Sequence, residues 1–266
     1  MPESDDPSGG PSGGPSEGPS DAPSDAPSDA PSASGTARDR VRRELTSEIK
    51  EIALAQLASG GGATLSLRAI AREMGMASSA LFRYFDNRDA LLTSLIIDSY
   101  SSLAEAAETA EAQVHEGSIE NRWMAIAHGV RSWAVAHLHE YALIFGSPIP
   151  GYAAPPGTIA PASRVPLLLG DLLGDLMHEP SYDVDAHPEP SAAVQRAIDP
   201  VRPMMPEGVP SDLVVRGLMA WTYLFGAVSF EVFGHRHNVV TDHEAFFDHE
   251  IRRLATMVGL VPTSIS

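Results

Sequence analysis

Two serines, an arginine and a tyrosine follow a glycine closely enough to act together. In Leu67 to Arg88, LRAIAREMGMASSALFRYFDNR, Gly75 separates two short apolar patterns, and Ser78, Ser79, Arg83 and Tyr84 lie off the apolar positions Leu81 and Phe85 of the second. Their chemistry is hydrogen bonding to polar and anionic edges. Serine hydroxyls at a helix N-terminus can bond base edges or phosphates, where the helix dipole favours an anion. Arginine can bind guanine through two parallel bonds or grip a phosphate, and tyrosine offers a ring and one hydroxyl. Arg40, Arg43, Arg68 and Arg88 surround this set in sequence and could hold phosphates.

Such side chains are useful only if helices present them. Ile70, Ala71 and Met74 share one face of a helix whose N-terminus Ser66 can cap, and Gly75, Met76 and Ala77 then form a turn. The spacing predicts a third helix from Ser78 to Phe85, with Leu81 pointing inward. DNR at 86–88 ends it, and a long fourth helix begins near Asp89 with Leu91, Leu92, Leu95 and Ile96 buried. Ahead of them, Val41, Leu45, Ile49, Ile52, Ala53 and Leu57 recur every three or four residues, predicting an amphipathic helix over 38–58 that SGGG at 59–62 terminates. A helix fits the major groove of B-DNA, and a preceding helix braces it across the backbone. A plain helical hairpin with solvated arginines fits the same pattern.

Residues 40–100 resemble the N-terminal domain of TetR-type transcriptional repressors, through the run SLRAIAREMGMASSALFRYFDNRDALL. The resemblance implies a three-helix DNA-binding domain with Arg68, Ser78, Ser79, Arg83, Tyr84 and Arg88 on the DNA side, followed by a helical ligand-binding and dimerisation domain. It has departures. The family usually has tyrosine where Phe82 stands, often serine or threonine at Ala77, threonine at Ala80 and lysine at Arg88. A phosphate contact through a hydroxyl at position 82 is therefore unavailable.

Charge is distributed unevenly. The net charge is −17, but residues 1–35 contribute −7, residues 36–99 contribute +1 and residues 100–266 contribute −11. The segment bearing the serines and arginines is thus the one that is not acidic, which weakens the objection to a polyanionic partner. From Pro7 the chain repeats PSGG, PSEG and PSDA tetrads, a composition unable to bury enough apolar surface to fold, so residues 1–36 are expected to be disordered. This tail reads as a solubilising or misassigned extension; the sharper alternative has its acids competing with phosphates for the arginines. With no cysteine there is no disulfide, thiol nucleophile or cysteine-ligated zinc. No signal peptide and no uninterrupted apolar run of about 18 residues is present, so a soluble cytoplasmic protein is expected, with no membrane partner.

Beyond residue 100 the pattern remains helical, over Ile119–Leu138, Tyr141–Phe145, Pro166–Met177, Ser211–His235 and Asp242–Val258, with irregular connections at 147–166 and 179–190. The fold class is therefore all-α, organised as a tail (1–36), a helix-turn-helix domain (37–86) and a larger helical domain (87–266). Trp123, His128, Trp133, Tyr141, Phe145, Trp221 and Phe225 offer large apolar surfaces with a few polar handles, the composition of a small-molecule site, although aromatics at helical spacing also build ordinary cores. Gly217, Ala220, Gly226 and Ala227 suit close packing of a long helix, and the segments 211–235 and 242–258 are the expected homodimer interface. His235, His237, His243 and His249 lack supporting carboxylate spacing, so no metal or other cofactor is expected. No nucleophile elbow, metalloprotease helix or phosphate loop is found, which argues against an enzyme. The expectation is a ligand-responsive, homodimeric repressor of a palindromic operator in double-stranded DNA. The alternative is an all-helical small-molecule-binding or interaction protein without specific DNA binding.

Overall fold

In a computed structural model the described residues are 37–60, 65–180, 182 and 188–260. The expectation of a disordered tail falls on residues outside them. Among the described residues every regular element is helical. Of residues 1–41, only Ala37–Val41 are described, and they are the exposed first turn of α1 (Ala37–Gly60).

From Arg42 onward the first elements form a small three-helix unit. α2 (Leu67–Glu73) starts where Ser66 Oγ accepts the backbone N–H of Ala69 at 3.3 Å, so one of the orphan donors of its first turn is satisfied. The turn to α3 (Ser78–Leu81) depends on Gly75, whose φ of +66° is a left-handed conformation that side-chain-bearing residues avoid. Ile49, Ala53, Ile70, Ala71, Leu81 and Phe85 close a core between these helices.

α4 (Arg88–Ala112) joins this unit to the rest, because it is shared by two cores. Its first half contributes Leu91, Leu92 and Leu95 to the core of the first three helices, and its second half contributes Leu103, Ala104 and Ala107 to the larger one. Asn87 caps it, accepting the N–H of Ala90 at 2.8 Å. α5 (Ile119–Ala136) packs closely along α4: a Cβ on Gly129 would lie 3.0 Å from the carbonyl oxygen of Ala106. α6 (Leu138–Phe145), α7 (Ile159–Leu176), the short α8 (Ala192–Ala197), α9 (Ser211–Val232) and α10 (His243–Val258) complete the bundle. α7, α9 and α10 bring Leu169, Leu172, Leu213, Leu224, Val228, Phe247 and Ile251 into the larger core. Ion pairs tie helix to helix: Arg122 bonds Glu111 at 2.5 Å and Asp175 at 2.7 Å, and Arg131 holds Glu231 through two bonds of 2.8 and 2.7 Å.

Several expected boundaries move. The third helix closes at Leu81 and continues to Phe85 as turns, since Arg83 and Tyr84 donate to carbonyls three residues back. The connection expected over 147–166 becomes helical from Ile159, preceded by a 3-10 turn at Pro156–Thr158. Its prolines do not prevent this: Pro161 falls in the first turn, where no intrahelical donor is needed, and only Pro166 lies inside the helix. α8 and the 3-10 helix Asp199–Met204 occupy a stretch for which no element was expected. α9 ends at Val232 rather than His235. By length and composition α9 is the one helix among the described residues able to cross a membrane, yet it packs against α5, α7 and α10 and carries Asp212, Arg216 and Glu231 in ion pairs.

Candidate nucleic-acid interface and apolar cavities

The turn and α3 leave a polar face outward. Ser78, Ser79 and Arg83 are exposed, as is Arg68 on α2 and Arg43 on α1. Arg40, in the first turn of α1, is also exposed. Phe82, between Ser79 and Arg83 in sequence, is an apolar ring with 48% of its surface exposed. Tyr84 is placed differently: it is half-buried against the core of the first three helices, and the guanidinium of Arg42 lies 5.3 Å from its ring centroid. The same Arg42 donates from Nη2 to the carbonyl oxygen of Arg83 at 3.1 Å. One α1 side chain thus fixes the segment after α3 from both sides. Arg88 opens α4 beside Asp89, with Nη1 3.2 Å from Oδ1.

The larger unit contains apolar cavities along α7 and α9. The first, about 180 Å³, is walled by Leu169, Leu173, Met205, Val214, Gly217 and Leu218, with Trp123 and Trp221 also in its lining. A second, about 170 Å³, lies beside it between Tyr100, Phe145, Val165 and Phe225; Pro166 and Trp221 belong to both linings. A run of aromatic contacts follows the second cavity: Trp221 to Phe225 at 6.1 Å between ring centroids, Phe225 to Phe145 at 4.6 Å, and Phe145 to Tyr100 at 6.0 Å. α6 and the segment after it reach the other core, where Leu143, Ile149 and Tyr152 pack against it.

Residues 49–95 match the family described as bacterial regulatory proteins, tetR family, and residues 123–254 match the tetracyclin repressor-like C-terminal domain. An HTH-type transcriptional regulator of Mycobacterium tuberculosis is 37% identical over 232 residues, covering 84% of this chain and 95% of its own length, and that of Mycobacterium bovis matches equally. The chain belongs to the TetR family. Among solved structures, a candidate regulatory protein, SCO4313, is 33% identical with a TM-score of 0.69, covering 83% of this chain and all of its own. A Rhodococcus sp. RHA1 protein of unknown function, at 21% identity, shares the fold with a TM-score of 0.57 over 88% of this chain and 99% of its own.

This TetR-family regulator is a DNA-binding transcription factor and not an enzyme. The aromatic residues singled out in its sequence are not all brought together. Trp123 and Trp221 line the first cavity, and Phe145, Trp221 and Phe225 the second. His128, Trp133 and Tyr141 line neither. His128 Nε2 lies 3.2 Å from Asp248 Oδ1, and Trp133 Nε1 donates to Ser102 Oγ at 2.9 Å. The Tyr141 hydroxyl donates to the Phe225 carbonyl at 3.1 Å beside Ser229; burial pushes its pKa up to about 12, so the phenol stays neutral. Trp123 Nε1 is likewise committed, to the Ile251 carbonyl at 3.0 Å. Sequence reasoning passed over Arg42, whose partner is 41 residues away, and the aliphatic and methionine walls, which carry no local mark distinguishing a cavity from a filled core.

Proposed function

We propose that this TetR-family regulator is a cytoplasmic, homodimeric repressor that a small molecule releases from a palindromic operator. The observation that carries the reading is the apolar cavity between α7 and α9, which shares Pro166 and Trp221 with the lining of a second one that α4 helps to wall. Ligand held there would favour one placement of α4, and α4 shares a core with the recognition element. A dimer matches DNA only when its two recognition helices sit about 34–36 Å apart, so a small change in α4 shifts the population away from the binding form.

In this reading residues 37–86 bind DNA and residues 87–266 bind ligand and partner. Ser78, Ser79 and Arg83 reach base edges or phosphates, while Arg40, Arg43, Arg68 and Arg88 hold the backbone. Phe82 supplies an apolar surface of the kind that meets a thymine methyl group. Tyr84 serves through its ring, as the platform on which Arg42 rests. Support for the dimer comes from α9 and α10: Met219, Tyr223, Phe230 and Phe233 recur at helical spacing and stay exposed, with Phe246 and Met257 exposed on α10. Trp123, Trp221, Phe145 and Phe225 belong to the ligand site, and Tyr141 packs behind it against Phe145 and the Phe225 carbonyl.

The test is binding to duplexes from the DNA flanking its own gene, at about 150 mM salt. Specific binding that Arg83→Ala weakens at least tenfold is expected, with sedimentation giving a dimer that Phe230→Asp dissociates. Binding no better than to random DNA, or a monomer at micromolar concentration, would sink the reading.

A further inference from the structure

The linings of the two cavities restrict what they can hold. Neither contains an acidic, basic or amide side chain. Their hydrogen-bonding groups are two indoles and one phenol, and Trp123 has already donated to Ile251. What remains is the indole of Trp221 and the hydroxyl of Tyr100, the latter in only a long contact of 3.4 Å with the Ile144 carbonyl. Both are uncharged. The arginines nearest in sequence are engaged elsewhere: Arg164 with Glu108, Arg202 with Ser211 and the Val209 carbonyl, and Arg216 with Asp212 and the Val258 carbonyl. One donor is left over, Nη2 of Arg216, buried and without a hydrogen-bond partner, but Arg216 is in neither lining.

We propose that the two cavities together take one uncharged, elongated, mainly hydrocarbon molecule with at most two neutral polar groups, and that they exclude its carboxylate counterpart; the assignment rests on the ligand-responsive reading above. Size follows from volume. A cavity near 150 Å³ holds a benzene ring, so spaces of about 180 and 170 Å³, with Pro166 and Trp221 in both linings, together accommodate about ten to fourteen heavy atoms. Exclusion follows from desolvation. A carboxylate buried without a cation leaves its charge uncompensated and enters only as the neutral acid. Each pH unit above the acid's own pKa then weakens its binding about tenfold, roughly a thousandfold near pH 7.5.

The full-length protein is titrated with decan-1-ol, decanoate and decyltrimethylammonium, binding being read by tryptophan fluorescence and calorimetry on the free protein and release being read separately on the operator complex. The expected result is decan-1-ol binding at least a hundredfold tighter than either ion at pH 7.5, with decanoate gaining about tenfold per pH unit on acidification. Gly217→Val, whose Cβ would press Leu173 out of its place in the lining that both residues form, should weaken decan-1-ol at least tenfold; a change of less than threefold in a folded variant places the site elsewhere. Decanoate binding within tenfold of decan-1-ol overturns the proposal, and its loss in Arg216→Gln would identify the cation responsible. No binding of decan-1-ol up to its solubility limit also overturns it. Decanoate that releases the operator leaves the ligand-responsive reading standing without this ligand class. Decan-1-ol that binds but leaves the operator complex intact does the reverse.

Discussion

The hydroxyl of Tyr152 lies 2.9 Å from Oγ1 of Thr93, joining the segment after α6 to the first half of α4 across 59 residues of sequence. Beside it Ile149 and Leu143 pack against the core that holds α2 and α3. The larger domain therefore touches the recognition unit through α4 itself, through Leu143 of α6 and through the segment after it. Removing the bond by Tyr152→Phe should cost about 1 kcal/mol, roughly fivefold in the coupling between ligand and operator. Direct ligand affinity and effector-dependent operator release, measured on the same variant, check this: release should shift by more than binding does.

Arg42 and Arg83 should separate by salt dependence. Arg83→Ala removes a group proposed to hold phosphate, so the slope of log affinity against log salt should fall by about 1. Arg42→Ala removes the clamp on the Arg83 carbonyl and the Tyr84 ring. If its chief role is to hold the segment after α3 in place, affinity drops several-fold with a smaller change in slope. Fluorescence anisotropy at three or more salt concentrations distinguishes them.

Gly75→Ala isolates backbone strain, since a Cβ there meets nothing within 4 Å while φ stays at +66°. A loss of about 1 kcal/mol is expected, lowering the unfolding midpoint by about 2–4 °C, with Gly75→Asn losing less. Calorimetry that finds alanine and asparagine equally harmless would mean the turn has rearranged.

Much of the recognition unit is legible in sequence because its determinants are local. Ser66 caps the helix it precedes, Gly75 takes the turn, and Leu81 and Phe85 sit one turn apart on a buried face. What escaped depends on distance in sequence. Arg42 meets a carbonyl 41 residues on, and the cavities are bounded by side chains from α4 to α10 whose types are those of any core. Proline misled in a different way: the proline-rich 147–166 stretch reads as irregular, yet Pro161 costs nothing in a first turn and α7 tolerates Pro166. Trp133 and Tyr141 drew attention by size, and burial with satisfied hydrogen bonds accounts for both.

The Arg131–Glu231 pair should be costly to break. Both side chains are mostly buried and joined by two bonds. Glu231→Ala strands a buried guanidinium and should destabilise by about 3–5 kcal/mol, whereas replacing both partners by methionine should recover much of that. A double-mutant cycle in denaturant reads the difference.

Acid should weaken the bundle at Glu111. Burial alone would raise its pKa, but hydrogen bonds from Arg122 and His115 hold it below the ordinary value of 4.5. A carboxylate depressed in the folded state contributes stability that is complete above its unfolded pKa and disappears as pH falls through the folded one. Unfolding midpoints followed downward from pH 5 should therefore fall less steeply in Glu111→Gln than in the parent.

Pro166 brings no amide hydrogen to α7, so the ladder of that helix lacks one rung at the wall the two cavities share. In mechanical terms α7 is a rod with a single compliant joint, set where an occupant would press on it. A missing rung lowers the resistance to bending there, so a load applied at that joint would turn one half of the helix against the other instead of being spread along its length.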